Sequence, residues 1–143
     1  MMNTLQIDRI LKRKVRTYLG TFSNNHLPHE TGIFVSNTDP CTQRGTHWIA
    51  IYISEDRRHG EYFDSFGRPP NELFSNYMKS HCRYWTWNKR QLQSVTSKSC
   101  GYYCVLYCIC RSRGRDITSF VNSFTRDTGF NDAIVAKAMR VKS

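Results

Sequence analysis

Ser97-Lys98-Ser99-Cys100-Gly101-Tyr102-Tyr103-Cys104-Val105-Leu106 passes from a short polar run into a Cys-Gly pair and then directly into an apolar segment of helical character. That order predicts a helix beginning at Cys100, with its sulfur at the helix N-terminus. Unpaired N–H groups and the positive end of the helix dipole favour a thiolate there. A thiolate attacks carbonyl carbon, which makes Cys100 a candidate nucleophile. Most cysteines beside an apolar helix are small buried residues, so the weight of Cys100 depends on what precedes it.

His47-Trp48-Ile49-Ala50-Ile51-Tyr52-Ile53 is a His followed by a β-branched and aromatic run, the signature of a strand. A polar turn from Ser54 to Gly60 leads to a second strand, Glu61 to Phe66, that stops at Gly67. The resulting hairpin returns Asp64 toward His47. A carboxylate beside an imidazole fixes its tautomer and stabilises the imidazolium. Singly, such residues are usually solvated and idle; His, Asp and then Cys at a helix start are far rarer together. Gln93 stands seven residues before Cys100 in a polar segment that reads as a loop. Its side-chain amide is a donor suited to an oxyanion hole, alongside the Cys100 backbone N–H. Gln91 is a rival for that role.

His47-Trp48, Asp64-Ser65-Phe66-Gly67, Gln93 and Ser99-Cys100-Gly101 resemble, in this order, the active-site motifs of the adenovirus protease family, adenain. The spacings from His47 to Asp64 and from Gln93 to Cys100 match the adenoviral enzyme, and Tyr18 to Phe22 and Val35 to Thr38 are similar to it as well. The resemblance runs from about Tyr18 to about Leu106. The same order of residues marks the wider superfamily of SUMO and NEDD8 isopeptidases. Asp64 stands where the adenoviral enzyme has Glu, and the chain is shorter than that enzyme, mainly after the Cys100 helix. The resemblance implies His47, Asp64, Gln93 and Cys100 as catalytic residues in a papain-like arrangement. It implies Trp48 as a wall of a narrow substrate cleft that takes small residues, typically Gly.

With 143 residues the chain is expected to be one domain over 1–143, large enough for two packed layers. A hydrophobic content of 39% with 13% aromatic residues argues for a folded globule rather than a disordered chain. No apolar run approaches the roughly twenty residues of a membrane helix, and the N-terminus lacks the apolar stretch of a signal peptide. No membrane association and no secretion are expected. In a reducing compartment the six cysteines read as thiols.

The pattern predicts an amphipathic helix from Leu5 to Leu19 capped by Thr4, strands near Ile33–Ser36, His47–Ser54 and Glu61–Phe66, and a short helix capped by Asn71. A strand is expected at Arg83–Trp87. The Cys100 helix should run to about Arg113, where Gly114 stops it, followed by helices at Asp116–Phe124 and Asn131–Val141. The order points to an α+β fold, a central, mostly antiparallel sheet packed against helices with the nucleophile's helix in the middle.

Cys104 and Cys108 share a helix face with Cys100, and with no CxxC pair or complementary His cluster they read, like Cys110, as core residues rather than metal ligands. Cys41 has no evident role. Cys82 lies eighteen residues before Cys100, the separation at which the adenoviral enzyme bonds an activating peptide, although a half-buried structural cysteine is the competing reading. Twenty-one Lys and Arg against 11 acidic residues give a net charge of +10. Clusters at Lys12, Arg13, Lys14 and Arg16, and at Arg111, Arg113 and Arg115, favour a polyanionic partner, chiefly DNA phosphates. The resemblance implies the same, through stimulation by viral DNA.

The expectation is therefore a cysteine endopeptidase that matures viral capsid or core precursors. It needs no cofactor for its chemistry, takes DNA and a peptide as activators, and works as a monomer in the host nucleus or cytoplasm and in the virion. The alternatives are a ubiquitin-like modifier isopeptidase and a non-enzymatic basic DNA-binding protein in which Cys100 is structural.

Overall fold

The alternation of side chains along the run after His47 decides the layering, because successive residues of a strand face opposite sides of a sheet. The computed structural model describes residues 2–38 and 47–142. Among these, β1 (Tyr18–Phe22), β2 (Gly32–Asn37), β3 (Trp48–Ile53), β4 (His59–Phe63) and β5 (Tyr84–Trp87) form one sheet in that order. The two central pairings, β2 with β3 and β3 with β4, are antiparallel, and the outer two are parallel. The helices are α1 (Thr4–Lys14), α2 (Glu72–His81), α3 (Cys100–Ser112), α4 (Ile117–Asn122) and α5 (Thr128–Lys142). The class is α+β.

Ile49, Ile51 and Ile53 join Phe34 and Tyr62 on the face covered by Phe74 and Met78 of α2. Trp48, Ala50, Ile33, Val35 and Phe63 point the other way, into the larger core built with α1, α3, α4 and α5. α3 is apolar almost all round, which suits a helix enclosed on every side. Its residues from Tyr103 to Ile109 are all buried, with Cys104 and Cys108 among them. No group of three metal-ligating side chains occurs among the described residues. α3 ends where Gly114, at φ +92°, takes up a conformation that residues with a Cβ avoid.

Several boundaries differ from the sequence expectation. The first helix stops at Lys14 instead of Leu19, and Tyr18–Phe22 is a strand. The hydroxyls of Tyr18 and Thr21 both donate to Asp8 Oδ1, at 2.6 Å each, which folds this segment back along α1. Pairing of β1 with β2 then outweighs helix propensity. The N-cap is Asn3, not Thr4: its side chain accepts from the Gln6 N–H, and the Gln6 side chain accepts from the Asn3 N–H, a capping box. β4 ends at Phe63, so Asp64 lies just beyond the strand. α4 is confined to Ile117–Asn122, with Asp116 as its cap, and α5 begins at Thr128, ahead of Asn131.

Candidate active site

His47 immediately precedes β3 and Asp64 immediately follows β4, so the antiparallel pairing of these strands brings the two side chains to one end of the hairpin. His47 Nε2–H donates to Asp64 Oδ1 at 2.7 Å. That leaves Nδ1, buried and without a hydrogen bond among the described residues, for the Cys100 sulfur, the second group that acts on the ring. Burial alone would push the imidazole pKa down. The hydrogen bond to Asp64, the interaction with Cys100 and the charges of both outweigh it, and the His47 pKa rises to about 9. Phe66 covers the ring with centroids 4.7 Å apart.

Asp64 is itself held from three directions. Its N–H donates to Asn88 Oδ1 at 2.9 Å, its C=O accepts from Asn88 Nδ2 at 2.6 Å, and its Oδ1 accepts the Phe66 N–H at 2.8 Å. The turn closes through Gly67, at φ +69°, where a Cβ would come within 2.6 Å of the Arg90 backbone. Asn88 is only 5% exposed, and its role was not legible in the sequence, where it follows a strand like any polar residue.

Gln93 is fully buried next to this turn. Its Oε1 accepts from Ser65 Oγ at 2.5 Å, which aims the NH2 toward Ser97; there it donates to the backbone oxygen at 3.0 Å and approaches the hydroxyl at 3.4 Å. Asp64 and Ser65, adjacent in sequence, thus orient His47 and Gln93 respectively. The rival Gln91 donates to the Gln93 backbone oxygen at 2.9 Å. Tyr103 and Asn131 both donate to Leu92 O, at 3.3 and 3.1 Å, so α3 and α5 support the loop that carries Gln93.

Cys100 opens α3 as expected and is 2% exposed. Ser99, at the N-cap, makes no side-chain cap bond, so no hydroxyl occupies the first-turn N–H groups there. The Trp48 backbone N–H points at the sulfur, 3.5 Å away. The Trp48 indole is buried and donates to Met2 O at 3.2 Å, while a Cβ on Gly101 would come within 3.1 Å of Met2 Cβ. The start of α1 therefore braces both Trp48 and the first turn of α3, a contribution that nothing in the local sequence signals.

Burial raises the thiol pKa of Cys82, Cys104 and Cys108. Cys82 caps α2 with its sulfur toward Met78 O at 3.2 Å and close against Gly60, packed among the residues of the smaller core. Cys41 lies outside the described residues.

Lys12, Arg13, Lys14, Arg16, Arg113 and Arg115 are exposed. Arg111 is not free: it pairs at 3.0 Å with Glu61, a fully buried carboxylate that also accepts from Tyr107 at 2.5 Å and from the Ile117 N–H at 3.1 Å. Thr17, next to Arg16, lines a cavity of about 580 Å³ together with Arg111, Ser112 and Gly114, so the fold brings the ends of the two basic clusters together.

No family model and no curated protein matches the chain. Solved structures do. Two structures of the ASFV pS273R protease are similar to it. One aligns at 20% identity with a TM-score of 0.65 over 92% of this chain and 64% of that one. The other, of the Se-Met protein, aligns at 26% identity with a TM-score of 0.52 over 72% of this chain and 43% of that one. The chain has the fold of a viral protease. It spans less than two thirds of the length of those proteins. The match agrees with the adenain resemblance carried by His47, Asp64, Gln93 and Cys100.

Proposed function

We propose that the chain is a cysteine endopeptidase. The observation that carries this reading is the placement of one His between a carboxylate and a sulfur. His47 Nε2 is bound to Asp64 at 2.7 Å, and the Cys100 sulfur acts on the same ring from the first turn of α3.

In this mechanism the Cys100 thiolate attacks the scissile carbonyl carbon, and the C=O electrons move onto oxygen. The Cys100 N–H stabilises that oxyanion together with one N–H of the Gln93 amide, whose other N–H stays on Ser97 O. Collapse expels the amine, which takes its proton from the His47 imidazolium and leaves a thioester on Cys100. His47, now neutral, removes a proton from water as the water attacks the thioester. The acid product leaves and the sulfur recovers its pairing with the imidazolium. Asp64 keeps the Nε2 proton in place throughout, so that Nδ1 is the nitrogen that exchanges protons.

Taken further along the adenain resemblance, the substrates are viral capsid or core precursors cut beside small residues such as Gly, in the host nucleus or cytoplasm and in the virion. The enzyme acts as a monomer without cofactor chemistry. Duplex DNA, bound without regard to sequence by the exposed residues of the Lys12–Arg16 cluster with Arg113 and Arg115, serves as an activator. A peptide, with Cys82 as the residue for a disulfide to it, serves as a second activator.

Limiting iodoacetamide followed by peptide mapping tests the nucleophile. Cys100 should be labelled first, with loss of cleavage of a denatured-protein substrate in step with labelling, and Cys100→Ala should be inactive but folded. Cleavage that persists in Cys100→Ala would overturn the assignment.

A further inference from the structure

A cavity of about 690 Å³ lies between α1, the first turn of α3 and the end of α5, and neither His47 nor Asp64 lines it. Met2, Ile10 and Met139 give it an apolar floor, and Arg9, Arg13 and Arg140 stand around it. Among the described residues none of these three guanidinium groups makes an ion pair or a hydrogen bond, and no carboxylate lines the cavity. The half-buried Tyr102 adds a hydroxyl that is likewise without a hydrogen bond. Arg9 and Arg13 are one turn apart on α1, a spacing at which like charges disfavour the helix. Three exposed guanidinium groups without protein partners, all lining one concavity, form a receptor for anions.

We propose that this cavity is an accessory subsite for an acidic, partly apolar stretch of the polypeptide substrate, an inference that rests on the peptidase reading. Its size falls in the range, roughly 300–1,000 Å³, of pockets that bind drug-sized ligands, which is room for a few side chains. A duplex groove would instead meet a convex or flat basic surface. The apolar floor selects an occupant with apolar groups between its charges, which a polypeptide has and a phosphate backbone lacks. Met2 ties the cavity to the site and assigns it to the substrate: its carbonyl oxygen holds the indole of Trp48 at 3.2 Å, and the Trp48 backbone N–H points at the Cys100 sulfur.

Two measurements decide the matter. The first uses the full chain carrying Cys100→Ala and fluorescence anisotropy of a short fluorescein-labelled peptide alternating glutamate and leucine, beside its glutamine–leucine counterpart. The acidic peptide should bind at least about tenfold more tightly, and Arg9→Gln/Arg13→Gln/Arg140→Gln should remove that preference. Arg83→Gln/Lys89→Gln, away from the cavity, should not. Equal binding of the two peptides overturns the proposal, as does a triple variant that loses duplex DNA binding while keeping the acidic preference. The second digests a proteome-derived peptide library with the active enzyme. Acidic residues should be enriched at a fixed distance from the cut, and the enrichment should vanish in the triple variant. Cleavage without enrichment defeats the subsite and spares the peptidase reading. No cleavage defeats the peptidase reading, and the binding result still decides whether the cavity takes acidic peptides.

Discussion

Replacing Asp64 with Asn keeps the size of the side chain but removes the charge that faces His47. In the native site the imidazolium persists to about pH 9 rather than the ordinary 6.5, despite the opposing effect of burial. A displacement of that size corresponds to about 3 kcal/mol of preference for the charged ring. Asp64 supplies the direct hydrogen bond and a share of the charge effect, and Cys100 the rest. In Asp64→Asn the burial of the ring is opposed by Cys100 alone, so His47 should titrate at or below its ordinary value. The sign follows from the folded value lying above the unfolded one: the stabilisation is complete below about pH 6.5 and is lost as pH rises through about 9. At pH 6 the substitution should therefore cost roughly 2–3 kcal/mol in urea unfolding, and near pH 10 only the roughly 0.5–1.5 kcal/mol of an altered neutral hydrogen bond. Under the peptidase reading the same titration should appear as the alkaline limb of kcat/KM, near pH 9 in the native protein and displaced downward in the variant. An NMR titration of the His47 ring assigns the limb to the residue. If His47 titrates at the same pH in both proteins, or if the stability difference does not shrink between pH 6 and pH 10, the electrostatic account of this pair is wrong.

Gln93→Ala should lower kcat by roughly 10²–10³, the usual loss for one oxyanion donor, while Gln91→Ala leaves kcat near native; steady-state assays on one peptide separate them, and the reverse ranking would move the role to Gln91. Asn88→Ala leaves the Asp64 N–H and C=O buried without their partner and should destabilise the fold by about 2–4 kcal/mol in urea. A cost below about 1 kcal/mol would mean that water replaces the clamp. Glu61→Gln leaves Arg111 beside a neutral group under the sheet and should cost about 3 kcal/mol by the same measurement, with no change in the His47 titration. Duplex DNA binding, measured by anisotropy at two salt concentrations, should weaken steeply with salt and fall in Lys12→Ala/Lys14→Ala/Arg16→Ala; an affinity indifferent to salt would exclude counterion release.

How far the residues could be read depended on the range over which each signal acts. The strand after His47, the Cys100 helix, the Asn71 cap and the stop at Gly114 rest on neighbours along the chain, and all four stand where the sequence places them. The periodicity predicts too long a first helix because Ile7, Leu11, Val15 and Leu19 keep a helical period past Lys14. What ends the helix is the pairing of Tyr18–Phe22 with β2 and the closure of Tyr18 and Thr21 onto Asp8, contacts that a local pattern does not contain. Arg111 likewise counts as one more basic residue until Glu61, fifty positions away, is found buried beneath it.

The sequence by itself singled out the residues of the candidate site. A thiol at a helix start, an imidazole before a strand and a carboxylate at the end of its hairpin partner are legible from local order and residue type. The tertiary structure alone decided how they are held in place. Asn88 clamps Asp64, Ser65 turns the Gln93 amide, Asn131 of α5 supports the loop at Leu92, and Met2 braces Trp48 and Gly101. Each of these contacts joins distant positions through a hydrogen bond or a packed surface. Such a contact exists only once the sheet and α3 have brought the partners within reach, so no window of sequence records it.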